Sequence, residues 1–395
     1  MDFSVSEEME ALLATIRRFI ANELKPLEQE VEDSGELAPD KASEIFKKSQ
    51  ALGLYAMNVP EKFGGAGLNA VETMLVEEQF GHTTDILVRR AFGNVYEALF
   101  AANELQQERW LGPCVRGERT CSIAITEPDA GSDAAKIKTT ALRDGNSWIL
   151  NGNKHFISDG LFSDFFIVSA ITNPSAGSKG ISLFLVDKSL DGLSVGKDQK
   201  MMGLRGTSHV ELFFDNVVLG PENMLGDEGT GFTQILNTLG RVRLAQVGAR
   251  AVGKASHVLD LVLDYAKDRK QFGQSLGEFQ MVQQMIADSV IDVNAARTLL
   301  LRAAWEIDQG RDARDWIAMV KVHAAEAVGR VVDRAVQIFG GMGYCKELSI
   351  ERYYRDARVS RIYDGASEIH RIVIARDALR SKGALFDSLA TGGWR

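Results

Sequence analysis

The sequence predicts an α+β protein in three parts. These are an N-terminal α-helical domain over 1–118, a central β-barrel or sandwich domain over 119–228, and a C-terminal four-helix bundle domain over 229–395. Three observations predict it. Apolar residues recur at helical spacing up to about residue 118. Short β-branched and aromatic runs separated by turn residues take over at Thr120, and long helical periodicities return after Gly229. A chain of 395 residues also exceeds one simple core, and 7 prolines against 37 glycines fit long helices broken at glycines.

In the first part, Leu12, Leu13, Ile16, Phe19, Ile20 and Leu24 mark a helix that should stop near Pro26. A second helix follows Pro39 and runs to Leu52, and others are expected over 69–80, 84–101 and 104–116. The glycine-rich run Phe63-Gly64-Gly65-Ala66-Gly67 reads as a structural turn, because it lacks the Lys-Ser/Thr of a phosphate-binding P-loop. Strands are expected over 121–126, 137–142, 147–157, 165–170, 181–186 and 210–214, six or seven in all, with Asp144-Gly145-Asn146 and Asn151-Gly152 as hairpin punctuation. No helices alternate with them, which argues against a doubly wound parallel sheet. The last part holds helices over 232–269, 279–307, 315–339 and 366–381; short connections make them an up-and-down bundle.

The net charge of −9, from 45 basic and 54 acidic residues, argues against general nucleic-acid binding. Cys114, Cys121 and Cys345 have no metal-like spacing and suggest a reduced, intracellular setting, so no metal site is expected. No apolar run approaches the ~20 residues of a membrane span, and no signal or transit pattern opens the chain. The expected location is cytoplasmic, or the mitochondrial matrix where a transit segment has been removed. Near the end, Asp364-Gly365 is by itself a turn signal ahead of a helix.

The segment Ala124-Ile125-Thr126-Glu127-Pro128-Asp129-Ala130-Gly131-Ser132-Asp133 resembles the signature of the acyl-CoA dehydrogenase family, which usually has Gly where this chain has Asp129. Further matches follow in the family's order: Asn151-Gly152-Asn153-Lys154-His155-Phe156-Ile157-Ser158, Gly203-Leu204-Arg205-Gly206-Thr207-Ser208 and Arg269-Lys270-Gln271-Phe272-Gly273. Gln337-Ile338-Phe339-Gly340-Gly341, Arg355-Asp356-Ala357-Arg358 and the stretch Arg361 to Arg371 complete the set. The resemblance covers nearly the whole chain. It implies FAD as cofactor, a homotetramer built as a dimer of dimers, and electron-transferring flavoprotein as the electron acceptor. The implied reaction is α,β-dehydrogenation of an acyl-CoA thioester, in which a base takes the α-proton while the β-hydrogen leaves as hydride to flavin N5.

The resemblance also implies roles. Ile125 and Thr126 fall where the family supplies a backbone amide and a hydroxyl to the pyrimidine edge of the flavin, with Ile123 just before them. Phe156 matches the aromatic that covers the ring system, Ile157 follows it, and Ser158 matches the hydroxyl near N5. Arg269, Phe272, Gln280, Gln337, Gly340 and Gly341 match positions that reach the pyrophosphate and adenosine from the adjacent subunit, and Ala366 and Glu368 match flavin contacts. For the substrate, Ser132 matches a pantetheine-phosphate contact, Arg243 faces the substrate cavity or CoA, and Tyr363 and Gly365 flank the base. Without the motif set, each has a plainer reading as strand core, loop serine, helix cap or solvated arginine.

By the same resemblance Asp364 is the catalytic base, and burial against Tyr363 and the acyl chain should raise its pKa. The family usually places glutamate there. A subgroup puts its base one residue before the Arg243 position, which here is Val242. Aspartate is one methylene shorter, roughly 1.5 Å of reach. The substrate brings its α-carbon closer (a branched or cyclic acyl group), or the backbone has shifted, or proton abstraction is impaired. Acyl-CoA oxidase, enoyl-CoA reductase, a non-catalytic relative and a flavin-free scaffold are the competing functions. Arg89 and Arg90 are read as solvated helix residues in preference to a counter-charge for a polar acyl tail.

Overall fold

The computed structural model describes residues 4–93 and 95–380. Its helices are α1 (Glu7–Phe19), α2 (Glu28–Ser34), α3 (Pro39–Ala51), α4 (Ala70–Phe80), α5 (Asp85–Phe92), α6 (Glu104–Gln106), α7 (Gly112–Val115), α8 (Gly231–Val242), α9 (Arg250–Asp268), α10 (Gln280–Asp308), α11 (Arg314–Phe339), α12 (Gly341–Tyr344), α13 (Ile350–Arg358) and α14 (Ser367–Arg380). The strands are β1 (Cys121–Ala124), β2 (Thr140–Asp144), β3 (Ser147–Ser158), β4 (Phe165–Ile171), β5 (Ile181–Asp187), β6 (Leu193–Asp198), β7 (His209–Leu219), β8 (Met224–Leu225) and the short hairpin pair β9 (Lys270–Gln271) and β10 (Gln274–Ser275). The chain divides into two compact units, Ile16–Leu68 with Thr83–Arg241, and Met1–Thr15 with Asn69–His82 and Val242–Arg395.

In the first of these units the sheet runs β6-β7-β3-β2-β4-β5-β8, with β1 added alongside β4. Most pairings are antiparallel, while β1 lies parallel to β4. Among the described residues β2 meets β4 at one pairing, also parallel, Thr140 opposite Ile171, so the sheet is two blocks joined at one bridge, sandwich-like rather than a closed barrel. β4 and β5 are buried almost throughout, consistent with their continuous apolar sequences Phe165-Phe166-Ile167-Val168 and Ile181-Ser182-Leu183-Phe184. Trp148, Leu150, Phe166, Phe184 and Leu212 centre the core of this sheet. Two strands escape the sequence pattern: β6 is a partly exposed edge without strong alternation, and β8 has only 2 residues.

The other unit is helical. Ala70 and Met74 of α4 join α9, α10 and α11 in one core with Leu244, Val258, Leu300, Val328 and Val332. Asp308, the last residue of α10, caps α4 by accepting from Ala70 N and Val71 N at 2.7 and 3.0 Å, an anion placed on a helix N-terminus. α4 and α9 cross closely enough that a Cβ on Gly253 would lie 1.8 Å from the Glu78 carbonyl oxygen, and one on Gly81 2.3 Å from that of Arg250.

Four expected helices are interrupted. The first does not stop near Pro26: after α1 the chain passes through a π-helical turn, Ile20–Leu24, and a 3-10 turn, Lys25–Leu27, into α2. The one over 84–101 stops at Phe92 because Gly93 takes φ 81°, and a 3-10 turn, Glu97–Ala101, follows. The one over 104–116 contains a π-helical turn, Gln107–Leu111. The one over 232–269 is α8 and α9 joined by a π-helical segment, Arg243–Ala249. The expected end of the last helix at Ser381 lies outside the described residues. Among those residues no helix is long and apolar enough to cross a membrane.

The Gly253 contact gives a direct test. Gly253→Val should lower the denaturant midpoint by an amount worth about 3 kcal/mol or more, since backbone rather than a yielding side chain stands in the way. An unchanged midpoint would show that the helices slide apart without cost.

Candidate active site

In the β-containing unit, the residues expected at the flavin gather where β1 and β3 end. Lys154 on β3 is fully buried and spends its ammonium on Ile125 O (3.0 Å), Glu127 Oε1 (2.8 Å) and Ser169 Oγ (3.1 Å). Glu127 also accepts from Lys138 N and Thr139 N at 2.5 and 3.0 Å. Burial alone would push the Glu127 carboxyl up, but Lys154 and the donors outweigh it and hold it below the usual range. Burial brings Lys154 down to about 8, with Glu127 opposing. His155 N donates to Thr126 O at 2.8 Å. Ile125 and Thr126 are thereby clamped to β3 from two sides.

Next along β3, Phe156 sits in a register shift against β7 with φ 57°, a conformation uncommon for an aromatic residue, and its side chain is 53% exposed. Its ring lies 4.0 Å from that of His155. Such backbone costs about 1–3 kcal/mol and persists where the surroundings enforce it. Ser158 O accepts from Ser122 Oγ at 2.5 Å, which ties this end of β3 beside Ile123. Ile157 points into the core. Ser132 lies in an exposed loop, and Asp129, the departure from the usual Gly, makes a surface ion pair with Lys138 at 2.7 Å.

Arg89 and Arg90 are not solvated, contrary to the expectation. Their side chains are 9% and 16% exposed, and they reach the two oxygens of Asp159 at 3.5 Å each, with Arg89 also paired to Asp85 at 2.5 Å. An amphipathic pattern read without tertiary context cannot see that α5 faces Asp159, itself held at φ 59° just after Ser158.

In the helical unit, Asp364 occupies a left-handed turn (φ 53°) followed by Gly365 (φ 92°) and then α14. Arg243, the first residue of the π-helical segment, donates Nε–H to Asp364 O at 2.6 Å. His370 Nε2 lies 3.3 Å from the same oxygen. A Cβ on Gly365 would meet His370 Nε2 at 2.8 Å, so glycine is required there by space as well as by φ. Burial lowers the pKa of Arg243, with Asp364 opposing. Burial and then Arg243 bring His370 down to about 4, so its imidazole is neutral at pH 7. Tyr363, Gly365 and Ala366 are half-buried beside the turn, whereas the Glu368 carboxylate is exposed, 3.9 Å from Arg361.

Lys321 of α11, absent from the sequence expectations, also belongs here. It is fully buried, its Nζ makes no hydrogen bond among the described residues, and its ammonium feels Asp364, Arg243, Glu368 and Arg361. A lysine among Ala318, Val320, Ala324 and Ala325 was the available signal.

Arg269, Phe272, Gln280, Gln337, Gly340 and Gly341 form a separate group. Tyr265 stacks on Phe339 at 4.1 Å, bringing the end of α9 beside the Gly340 turn. Phe272, on the β9–β10 hairpin, is 95% exposed with φ 50°. A Cβ at Gly340 or Gly341 would meet nothing, so this backbone is open to close approach. Gly340 is at the far end of α11 from Lys321, about 29 Å away at ~1.5 Å per residue. Within one chain, then, these six residues do not join the Asp364 turn.

A helical–β–helical chain with a clamped strand-end aromatic site and a half-buried carboxylate turn defines a class that the comparisons identify. The N-terminal, middle and C-terminal acyl-CoA dehydrogenase domain models match residues 6–118, 122–217 and 229–379. The chain belongs to the acyl-CoA dehydrogenase family of oxidoreductases. It is 37% identical over 96% of its length to an acryloyl-CoA reductase (NADH) of Anaerotignum propionicum, covering 96% of that protein. It is likewise 37% identical over 96% of its length to a cyclohexane-1-carbonyl-CoA dehydrogenase of Geobacter metallireducens, covering 99% of it. Among solved structures, PigA with FAD and proline superposes with a TM-score of 0.89 at 30% identity, over 95% of this chain and 99% of that one.

Two tests follow. Lys154→Met leaves the buried Glu127 without its cation and should cost about 3–5 kcal/mol in denaturant unfolding, with Lys154→Met/Glu127→Gln recovering part of it. For His370, the folded-state pKa lies below the unfolded one. The unfolded chain therefore binds the extra proton, and stability present above about pH 6.5 should fall as pH drops towards 4. His370→Gln should flatten that part of the stability–pH curve; an identical slope would exclude His370 as its source.

Proposed function

We propose that the protein catalyses FAD-dependent α,β-dehydrogenation of an acyl-CoA thioester, with Asp364 as the base that removes the α-proton. What carries this reading is the Asp364 turn, whose carbonyl is held by Arg243 and approached by His370 while Gly365 packs against both. A base whose own backbone is held launches its short side chain from a fixed point, which limits where the carboxylate can go and favours proton transfer. Bound FAD supplies the hydride acceptor. The chain fits that group: Phe156 presents an exposed aromatic face, and the Ile125–Thr126 backbone is fixed at the pyrimidine-edge position. Ile123, Ile157 and Ser158 complete this edge, and Ala366 and Glu368 contact the flavin from the helical part. Ser132, Arg243, Tyr363 and Gly365 take the CoA and acyl portions.

The open Gly340–Gly341 backbone, with Arg269, Phe272, Gln280 and Gln337, takes the pyrophosphate and adenosine of a second subunit's cofactor. Its distance along α11 from the Asp364 turn supports that division of labour, as do the exposed Phe272, Met281, Ile291 and Tyr344, which fit subunit contacts in a homotetramer. The division into 1–118, 119–228 and 229–395 belongs to the same reading, and electron-transferring flavoprotein is the acceptor it assigns.

The short base favours a branched or cyclic acyl group whose α-carbon lies close to it. The similarity to the cyclohexane-1-carbonyl-CoA dehydrogenase supports that choice. A second reading, reduction of an enoyl-CoA by the same residues running in reverse, is favoured by the similarity to the acryloyl-CoA reductase.

Anaerobic mixing of the FAD-loaded protein with straight, 2-methyl and cyclic acyl-CoAs tests the proposal. Flavin bleaching is expected with the branched or cyclic compounds. Asp364→Asn should slow bleaching by about 10²–10⁴-fold with FAD retained. Normal bleaching in that variant removes Asp364 as base, and turnover confined to long straight chains removes the substrate assignment.

A further inference from the structure

Lys321 is the feature of the helical unit that packing does not explain. Its neighbours along α11 are alanines and valines, and Val320 beside it would touch a Cβ on Gly248, as would Leu300 of α10. A residue needed there only to fill space would be Met or Leu, because an ammonium taken out of water without a partner is costly. Other arginines at the edge of this core have carboxylates: Arg297 Nε bonds Glu78 at 3.0 Å and Arg250 Nε bonds Glu77 at 2.6 Å. Lys321 Nζ has no hydrogen-bond partner among the described residues.

α11 packs against the π-helical segment, the 3-10 turn Val359–Arg361 and α14, the elements around the Asp364 turn, and the charges that act on Lys321 come from them. Asp364 belongs to the turn itself, Arg243 to the π-helical segment, Arg361 to the 3-10 turn Val359–Arg361, and Glu368 and the neutral His370 to α14. Burial is the main influence on the ammonium, and Asp364 is the first of the charges opposing it. Coulombic coupling is mutual, so whatever Asp364 does to keep Lys321 protonated, Lys321 does to keep Asp364 ionised. Arg243 is a second cation coupled to Asp364, and its Nε–H holds the Asp364 carbonyl, so Lys321 adds to a charge already present.

We propose that Lys321 is a positioning residue for the reaction, a buried cation that keeps the Asp364 carboxylate in its ionised, proton-accepting form within a half-buried turn. This rests on the reading of Asp364 as base. It assigns Lys321 no contact with substrate or cofactor. Lys321 acts through the carboxylate, on the proton-accepting half of the reaction.

The test compares FAD-loaded wild type with Lys321→Met, Lys321→Gln and Lys321→Arg from pH 5 to 9. Two measurements are made: the rate of flavin bleaching by the most reactive acyl-CoA, and the carboxyl C=O infrared band of Asp364, isolated by subtracting the Asp364→Asn spectrum. In Lys321→Met and Lys321→Gln the acid limb of the rate profile and the infrared titration should both move up by about one pH unit or more. The rate above that limb should stay within about tenfold of wild type, and Lys321→Arg should hold both close to their original positions. If Met or Gln lowers the melting temperature but leaves the infrared titration in place, Lys321 is structural and the proposal falls. Should Lys321→Met fail to fold, Lys321→Gln decides by the same criterion. The infrared titration needs no turnover. Bleaching that survives in Asp364→Asn would overturn the base assignment, while the band still reports whether Lys321 and Asp364 are coupled.

Discussion

A buried lysine on a β-strand is tolerable when all three of its protons are used, and Lys154 uses all three. Its partners belong to different pieces of chain. Ile125 and Glu127 lie just beyond β1, Ser169 lies in β4, and Glu127 passes the constraint on to the amides of Lys138 and Thr139. One ion pair thus ties the exit of β1 to β3, to β4 and to the segment entering β2. The weakly joined pair of strand blocks, held by a single β2–β4 bridge, gains a polar tie close to where they meet. The same ammonium that crosslinks the sheet also fixes the Ile125–Thr126 peptides, so the fold and the proposed flavin edge depend on one interaction.

The helical unit obeys the same rule and then breaks it in one place. Glu77, Glu78 and Asp308 each meet a cation or a helix N-terminus. On α11 and α14, by contrast, Lys321, Ser367 and His370 each keep a buried polar atom without a hydrogen-bond partner among the described residues. Native cores contain few such atoms, and those that persist call for an explanation other than packing. Here they cluster beside the turn that carries Asp364, which is the place where a polar, poorly solvated environment would be useful to a proton-transferring carboxylate.

The architecture was legible because its signals are local. Period-2 and period-3.6 patterns, Asn-Gly and Asp-Gly turns and long apolar stripes located the strands of the main sheet and the long helices. What escaped depended on tertiary contact. β6 is an exposed edge with little alternation, and β8 is too short to have a pattern. The π-helical segment at Arg243 has no sequence signature, although it carries the arginine that grips Asp364. The candidate site was legible through motif order rather than chemistry. Asp364 alone is a turn residue, and Arg89 and Arg90 look solvated until Asp159 is placed opposite them. Lys321 was the one recoverable omission, since a charge on an otherwise apolar helical stripe is visible without coordinates.

Backbone conformation adds to the question of why the base is aspartate. Few non-glycine residues here have positive φ, yet Phe156, Asp159, Phe272 and Asp364 are among them, each a proposed site residue or next to one. Strain of this kind survives where surrounding contacts impose it. For Asp364 those contacts are Arg243 and His370 on its carbonyl and the tightly packed Gly365. Aspartate is several-fold enriched in the left-handed region because its short side chain can bond locally to the backbone, whereas longer side chains lack that compensation. The missing methylene therefore costs reach but suits the turn. A substrate whose α-carbon approaches closely would let the chain keep that conformational advantage without losing the proton transfer, so turn geometry and acyl shape bear on the same residue.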